Sequence, residues 1–188
     1  RARRVASAPV QGTRVKIRCE PNINGETRKP YLVGGPNEPD DHLAHRVAAY
    51  ILFWDYEPLL DATTKNPALN NFEFLPDLIA LDDEGAIKLW VECGSITHHK
   101  LTKITRRAPQ CRIVILKENE REAARLRKEL TEQFDRPERV EILAWPGASY
   151  KEWAAALADR TEAFGESDGR MINAVVNETM FVVEFKPH

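Results

Sequence analysis

The run Ile87-Lys88-Leu89-Trp90-Val91-Glu92 constrains this chain more than any other segment. It is mostly apolar on both faces, which suits a strand in the middle of a sheet covered on both sides. Leu78-Ile79-Ala80-Leu81 and the turn-forming Asp82-Asp83-Glu84-Gly85 precede it and complete a β-hairpin pattern. Gly94-Ser95 ends the run. A helix follows from about His98 to Ala108, with Leu101, Ile104 and Ala108 facing inward. Then come a short buried strand from Arg112 to Leu116 and an amphipathic helix from Glu120 to Phe134 on Ala123, Leu126 and Leu130. A strand from Val140 to Ala144 and a helix from Tyr150 to Asp159 complete the middle of the chain. Strand–helix–strand–helix–strand implies an α/β fold with a partly parallel sheet flanked by helices.

The flanks read differently. Arg14 to Cys19 alternates as a strand, Asn24-Gly25 is a turn that tolerates positive φ, and a second strand runs towards Val33. Glu38-Pro39-Asp40-Asp41 loads acid and proline at the start of a helix, where the dipole favours them. Leu43, Val47, Tyr50 and Ile51 define its buried face. Glu57 to Asn71 has no periodicity and reads as a loop with one short helical turn. Thr161 to Gly169 is polar and glycine-flanked, which predicts a linker. Met171 to Phe185 predicts a hairpin around Asn177-Glu178. The expected organisation is a single domain over 1–188, with an N-terminal hairpin at 10–35, a core at 38–159 and a C-terminal hairpin at 170–186. The hairpins either extend the central sheet or build a second small one.

The formal net charge of -2 exerts no global pull towards nucleic acid or an anionic membrane, so any nucleic-acid contact needs a local patch. No apolar run approaches the ~18 residues that cross a bilayer. Arg1-Ala2-Arg3-Arg4 is followed by no apolar segment, which argues against a secretory signal. Cys19, Cys93 and Cys111 are odd in number, lack CxxC spacing and sit in apolar or strand-like runs. They read as buried free thiols in a reducing, cytoplasmic setting.

The chemistry gathers around Pro76-Asp77-Leu78 and Val91-Glu92-Cys93-Gly94. In a hairpin Asp77 starts the first strand and Glu92 ends the second, so both carboxylates reach the same end of the sheet. Close carboxylates repel, and a shared proton or a divalent cation relieves them. Oxygen ligands completed by water are what Mg²⁺ or Mn²⁺ prefer. On the following helix Lys100, Lys103 and Arg107 share one side, and Asp41 in the first turn of the first helix can approach the same place. Each feature also has a structural explanation. Pro-Asp is a common turn, and a basic helix face is commonly solvated surface. A buried Glu92 must be paired, and a salt bridge to Lys100 or Lys103 does that without a metal. His98-His99 point apart on a helix and read as surface residues.

These stretches together resemble the bacterial YaeQ family, a variant of the PD-(D/E)XK nuclease superfamily. The matching residues are Glu38-Pro39-Asp40-Asp41-His42 leading to Arg46, Pro76-Asp77-Leu78, Gly85 through Leu89-Trp90-Val91-Glu92-Cys93-Gly94, and Lys103 through Arg107-Ala108 to Gln110. The resemblance implies a restriction-endonuclease-like core, with Mg²⁺ or Mn²⁺ held by Asp77, Glu92 and the carbonyl of Cys93. It implies a role for Asp41 as the acid of the first core helix. The superfamily's lysine two residues after the glutamate is Gly94 here, and the resemblance points to Lys103 on the next helix as its replacement, with Lys100 as the alternative. Arg46, Arg107 and Gln110 would position phosphate. The implied activity is metal-dependent hydrolysis of DNA or RNA. The competing expectation is a catalytically silent member of the same fold that binds nucleic acid or protein.

Overall fold

The computed structural model describes residues 16–35, 38–60 and 62–188. The expectations for residues 1–15, including the start of the first strand at Arg14, lie outside that set.

Alternation in β1 (Lys16–Ile23) buries Ile17, Cys19 and Ile23. The chain reverses at Asn24-Gly25, with φ of 52° and 81°, as a two-residue hairpin turn requires. The returning arm is split into β2 (Glu26–Thr27) and β3 (Tyr31–Val33), both antiparallel to β1. α1 (Asp40–Leu52) follows, with Asp40 and Asp41 in its first turn. A one-sided apolar face was expected here, yet every residue from Leu43 to Leu52 is buried. The reason is position: α1 lies between two sheets, so it has no solvent side for most of its length.

Next come β4 (Leu59–Leu60), a 3₁₀ turn at Pro67–Leu69, β5 (Leu78–Leu81) and β6 (Ile87–Cys93). α2 (His98–Arg107), β7 (Arg112–Lys117), α3 (Glu120–Gln133), β8 (Val140–Ala144) and α4 (Ser149–Ala156) complete the middle of the chain. The predicted hairpin is present, with Leu78 opposite Val91 and Ile79 opposite Trp90. β6, β7 and β8 are parallel neighbours. The outer partners are β4 beside β5 and the short β12 (Lys186–Pro187) beside β8, both antiparallel. Leu89, Val91 and Cys93 of β6 face the core shared with α1, while Trp90 faces the apolar layer under α2 and α3. That two-sided burial is what the apolar run in β6 encodes.

The expectation of a linker at Thr161 to Gly169 is wrong. This stretch is β9 (Arg160–Ser167), which lies parallel to β1 and antiparallel to β10 (Met171–Val176). Its polarity is that of a one-sided strand: Thr161, Ala163 and Ser167 are buried, while Arg160, Glu162 and Glu166 face outward. β10 and β11 (Thr179–Glu184) form the predicted hairpin, with Asn177 and Glu178 at φ of 42° and 70°. The terminal segments therefore join one six-stranded sheet, ordered β11-β10-β9-β1-β2 with β3 also on β1. Gly165 carries the tightest contact in this sheet. A Cβ there would sit 2.1 Å from the Asn173 carbonyl oxygen and 2.5 Å from Ala174 Cα, both backbone atoms that cannot swing away. Gly165→Ala is expected to cost about 3 kcal/mol, as overpacking against rigid backbone does, and urea unfolding checks it.

Candidate active site

Asp77 and Glu92 lie at the same end of the sheet, beside the carboxyl ends of β6 and β7, the end at which open α/β sheets bind ligands. Asp77 immediately precedes β5. Its Oδ2 accepts the Cys93 backbone N–H at 2.7 Å, which pins the two strand ends together. Glu92 is buried in β6, and both its oxygens are bonded. Oε1 accepts the indole N–H of Trp90 at 2.6 Å, and Oε2 accepts the Lys100 ammonium at 2.7 Å. Trp90 and Glu92 share a face because strand residues two apart do. Burial pushes the Glu92 carboxyl up to about 7, the charge of Asp77 pushes it the same way, and Lys100 pulls against both.

Lys100 reaches Glu92 from the first turn of α2, which Thr97 caps by accepting the Lys100 backbone N–H. Its ammonium also donates to the Leu75 carbonyl at 2.9 Å. Gly94 has φ of 76°, a backbone conformation that lysine would adopt only with strain. The lysine that reaches Glu92 is on the helix instead. Lys117, buried at the end of β7, donates to the Gly94 carbonyl at 2.7 Å and fixes that turn.

The other wall is α1. Glu38, just before the helix, and His42 and Arg46 within it are spaced four residues apart and gather on one side. Glu38 Oε2 accepts the Gly35 N–H at 2.7 Å, and its Oε1 pairs with His42 Nδ1 at 2.6 Å and Arg46 at 3.3 Å. His42 Nε2 lies 3.5 Å from Asp77 Oδ1, and Arg46 Nε lies 3.9 Å from the same oxygen. The Asp77 bond and the flanking carboxylates raise His42 to about 9 against the opposing effect of burial. Burial would raise Asp77, but His42, the Cys93 amide and Arg46 outweigh it and hold the carboxyl below its ordinary value.

Asp41, Arg46, Asp77 and Cys93 all line one open cleft of about 760 Å³, with His42 and Glu118. Asp41 is exposed, and its backbone carbonyl accepts the Tyr150 hydroxyl. Other expected residues fall elsewhere. Lys103 Nζ lies 3.6 Å and Arg107 3.5 Å from Glu73, and Arg107 also donates to the Asn71 carbonyl. Arg107 and Gln110 line a depression near Ile87, at the opposite end of β6 from Glu92. The structure thus brings Lys100, and not Lys103, Arg107 or Gln110, to the acidic pair. Sequence reasoning missed Glu38 and His42 as site residues, although their i, i+4 spacing was the available signal.

The donor set fits a hard divalent cation. Asp77 and Glu92 offer carboxylate oxygens at neighbouring strand ends, and the Glu92 carboxyl is raised first by burial and further by the charge of Asp77, which a cation would offset. Among the described residues no three His, Cys, Asp or Glu side chains cluster as a metal cage. All three cysteines are buried and free, as expected. No helix among the described residues is long and apolar enough to cross a membrane.

Two solved structures are similar along nearly the whole chain. The YaeQ protein from Xanthomonas axonopodis pv. citri aligns with a TM-score of 0.71 at 17% identity, covering 93% of this chain and 98% of that one. The YaeQ protein from Pseudomonas syringae aligns with a TM-score of 0.70 at 15% identity, covering 93% and 95%. At these identities the likeness establishes the fold. No curated protein matches the chain. The YaeQ protein family pattern matches residues 28–170, which include α1, the acidic pair and α2, and the chain therefore belongs to the YaeQ family.

Proposed function

We propose that the cleft is a divalent-metal phosphodiesterase site acting on DNA or RNA, set in a restriction-endonuclease-like core of the PD-(D/E)XK type. The observation that carries this reading is the Lys100 ammonium 2.7 Å from Glu92 Oε2, with Asp77 on the adjacent strand end. An acidic pair with one lysine is the set that the resemblance to the PD-(D/E)XK superfamily implies. Asp77, Glu92 and the Cys93 carbonyl would hold Mg²⁺ or Mn²⁺, which when bound would polarise a phosphoryl oxygen and acidify a water. The protein's own groups do the rest. Lys100 spends two of its three N–H donors on Glu92 and Leu75, which leaves one for the attacking water or a phosphoryl oxygen. His42 and Arg46 keep Asp77 ionised, and Arg46 adds a fixed positive charge where negative charge develops.

A second reading has its own observation. All four oxygens of Asp77 and Glu92 already face a donor of this chain: His42 and the Cys93 amide on one, Trp90 and Lys100 on the other. A silent domain that binds nucleic acid or protein would need no more than that. Calorimetric titration of Mg²⁺ and Mn²⁺ into the protein and an Asp77→Ala/Glu92→Ala variant separates the two. Binding that the double variant loses supports the phosphodiesterase. Absence of binding at millimolar metal sinks it and leaves the silent module.

A further inference from the structure

The basic residues of α2 divide between its two sides. Lys100, Lys103 and Arg107 all have carboxylate or carbonyl partners on the side of Leu75 and Glu73. Arg106 is turned about 60° further round the helix than Lys103, towards the side of Thr102 and Thr105. There it borders a depression of about 500 Å³ with Arg136 and Arg139, which come from the connection between α3 and β8. Arg106 and Arg136 are exposed, and neither side chain makes a hydrogen bond or ion pair among the described residues. Arg139 is anchored: one of its nitrogens donates to the Ala108 and Cys111 carbonyls at 3.4 and 3.3 Å. Asp135 also lines the depression but forms no ion pair with any of the three guanidinium groups, so it offsets their combined charge only in part.

A cation at a helix C-terminus is ordinary and accounts for Arg106 alone. It does not account for two further arginines converging from another element on an apolar floor. That floor is Pro109 and Phe134, and the Phe134 ring is held edge-on by His98 with centroids 5.0 Å apart. Guanidinium groups bind phosphate through paired N–H donors, and an aromatic or prolyl surface receives the flat face of a base. We propose that this depression binds a nucleoside phosphate, with the phosphate on Arg106, Arg136 and Arg139 and the base against Phe134 and Pro109. The ligand is either a free nucleotide or one nucleotide of a strand. The site lies across α2 from the acidic cleft and stands whether or not that cleft is catalytic.

The test is calorimetric titration at low salt, with EDTA present so that the cleft metal plays no part. The probes are adenosine 5′-monophosphate, inorganic phosphate and a short single-stranded DNA. The wild-type protein is expected to bind adenosine 5′-monophosphate with a Kd of about 1 mM or tighter. Arg106→Ala/Arg136→Ala is expected to weaken it at least about tenfold, the effect of losing charge-assisted hydrogen bonds. Both side chains are exposed, so the variant keeps its fold, and an unchanged thermal midpoint confirms that. Tighter binding of the DNA with a steep salt dependence identifies a strand as the source, whereas weaker binding of the DNA than of the mononucleotide identifies a free nucleotide. Absence of nucleotide binding, equal affinity in the double variant, or inorganic phosphate binding as well as the nucleotide would each overturn the proposal. Failure of the cleft reading is registered separately, by the Mg²⁺ and Mn²⁺ titration.

Discussion

Lys100→Met is expected to lower metal-dependent hydrolysis of DNA or RNA by about 10²–10³-fold, the loss that follows removal of one preorganised charge-stabilising donor. Lys103→Met is expected to change it by less than about threefold, because its exposed pairing with Glu73 contributes little. The contrast comes from geometry. Both lysines lie on one side of α2, but only Lys100 reaches Glu92, at 2.7 Å. A rate assay on the two variants, with the wild type as reference, decides it. Equal losses in both would mean that the basic face acts as a surface, and a loss confined to Lys103 would move the site.

Lys100→Met also tests the electrostatics. Removing one partner of a buried ion pair costs roughly 3–5 kcal/mol when the remaining charge is trapped. Glu92 escapes part of that cost by taking up a proton, since burial already holds its carboxyl near 7. The destabilisation should therefore be smaller at pH 6 than at pH 8. Adding Glu92→Gln to Lys100→Met should restore stability and leave activity absent, which separates a folding defect from a catalytic one.

The second large effect concerns Glu92 itself. Its carboxyl is raised in the folded protein from 4.5 to about 7, so the folded state holds this proton more tightly than the unfolded chain does. Stability from this group is fully present below about pH 4.5, declines as pH rises towards 7, and is flat above. The total decline corresponds to about 3 kcal/mol. Glu92→Gln lacks this decline, so the wild-type-minus-variant difference should change by roughly that amount between pH 4.5 and 8 in urea unfolding. His42, Asp77 and Glu38 titrate over overlapping ranges, and the difference between the two proteins largely cancels them. The net gain at pH 8 should be smaller than the change in slope, because a glutamine amide accepts from only one of Trp90 and Lys100. A variant that gains stability at pH 8 while losing metal binding would show an acidic group retained against the fold's own preference, which is how functional sites differ from packing. An unchanged pH profile would place Glu92 in an ordinary, well-compensated salt bridge.

The elements that the sequence determined are those whose pattern comes from local periodicity. The β5–β6 hairpin, the α2 and α3 helices, the β7 and β8 strands and the β10–β11 hairpin all fall where apolar spacing and turn residues put them. The placement of Asp77 and Glu92 at one end of the sheet was legible for the same reason: hairpin register is set by turn length and strand length, and both are visible in the chain. Other features depend on what lies across a gap in sequence. The polar stretch from Arg160 to Ser167 is a strand because β1 and β10 stand on either side of it, and no window around those residues contains those neighbours. α1 is buried almost all round because a second sheet covers it, although a single stripe would have sufficed for one. The choice of Lys100 over Lys103 depends on the rotational phase of α2, which the Gly94 turn and the Thr97 cap set before the helix begins. Arg136 joins Arg106 only through the packing of α3 and β8 beside α2. Local spacing fixes which residues share a face, because the backbone repeats every 2 or 3.6 residues. What that face meets is decided by chain segments far away, and only the folded protein brings those together.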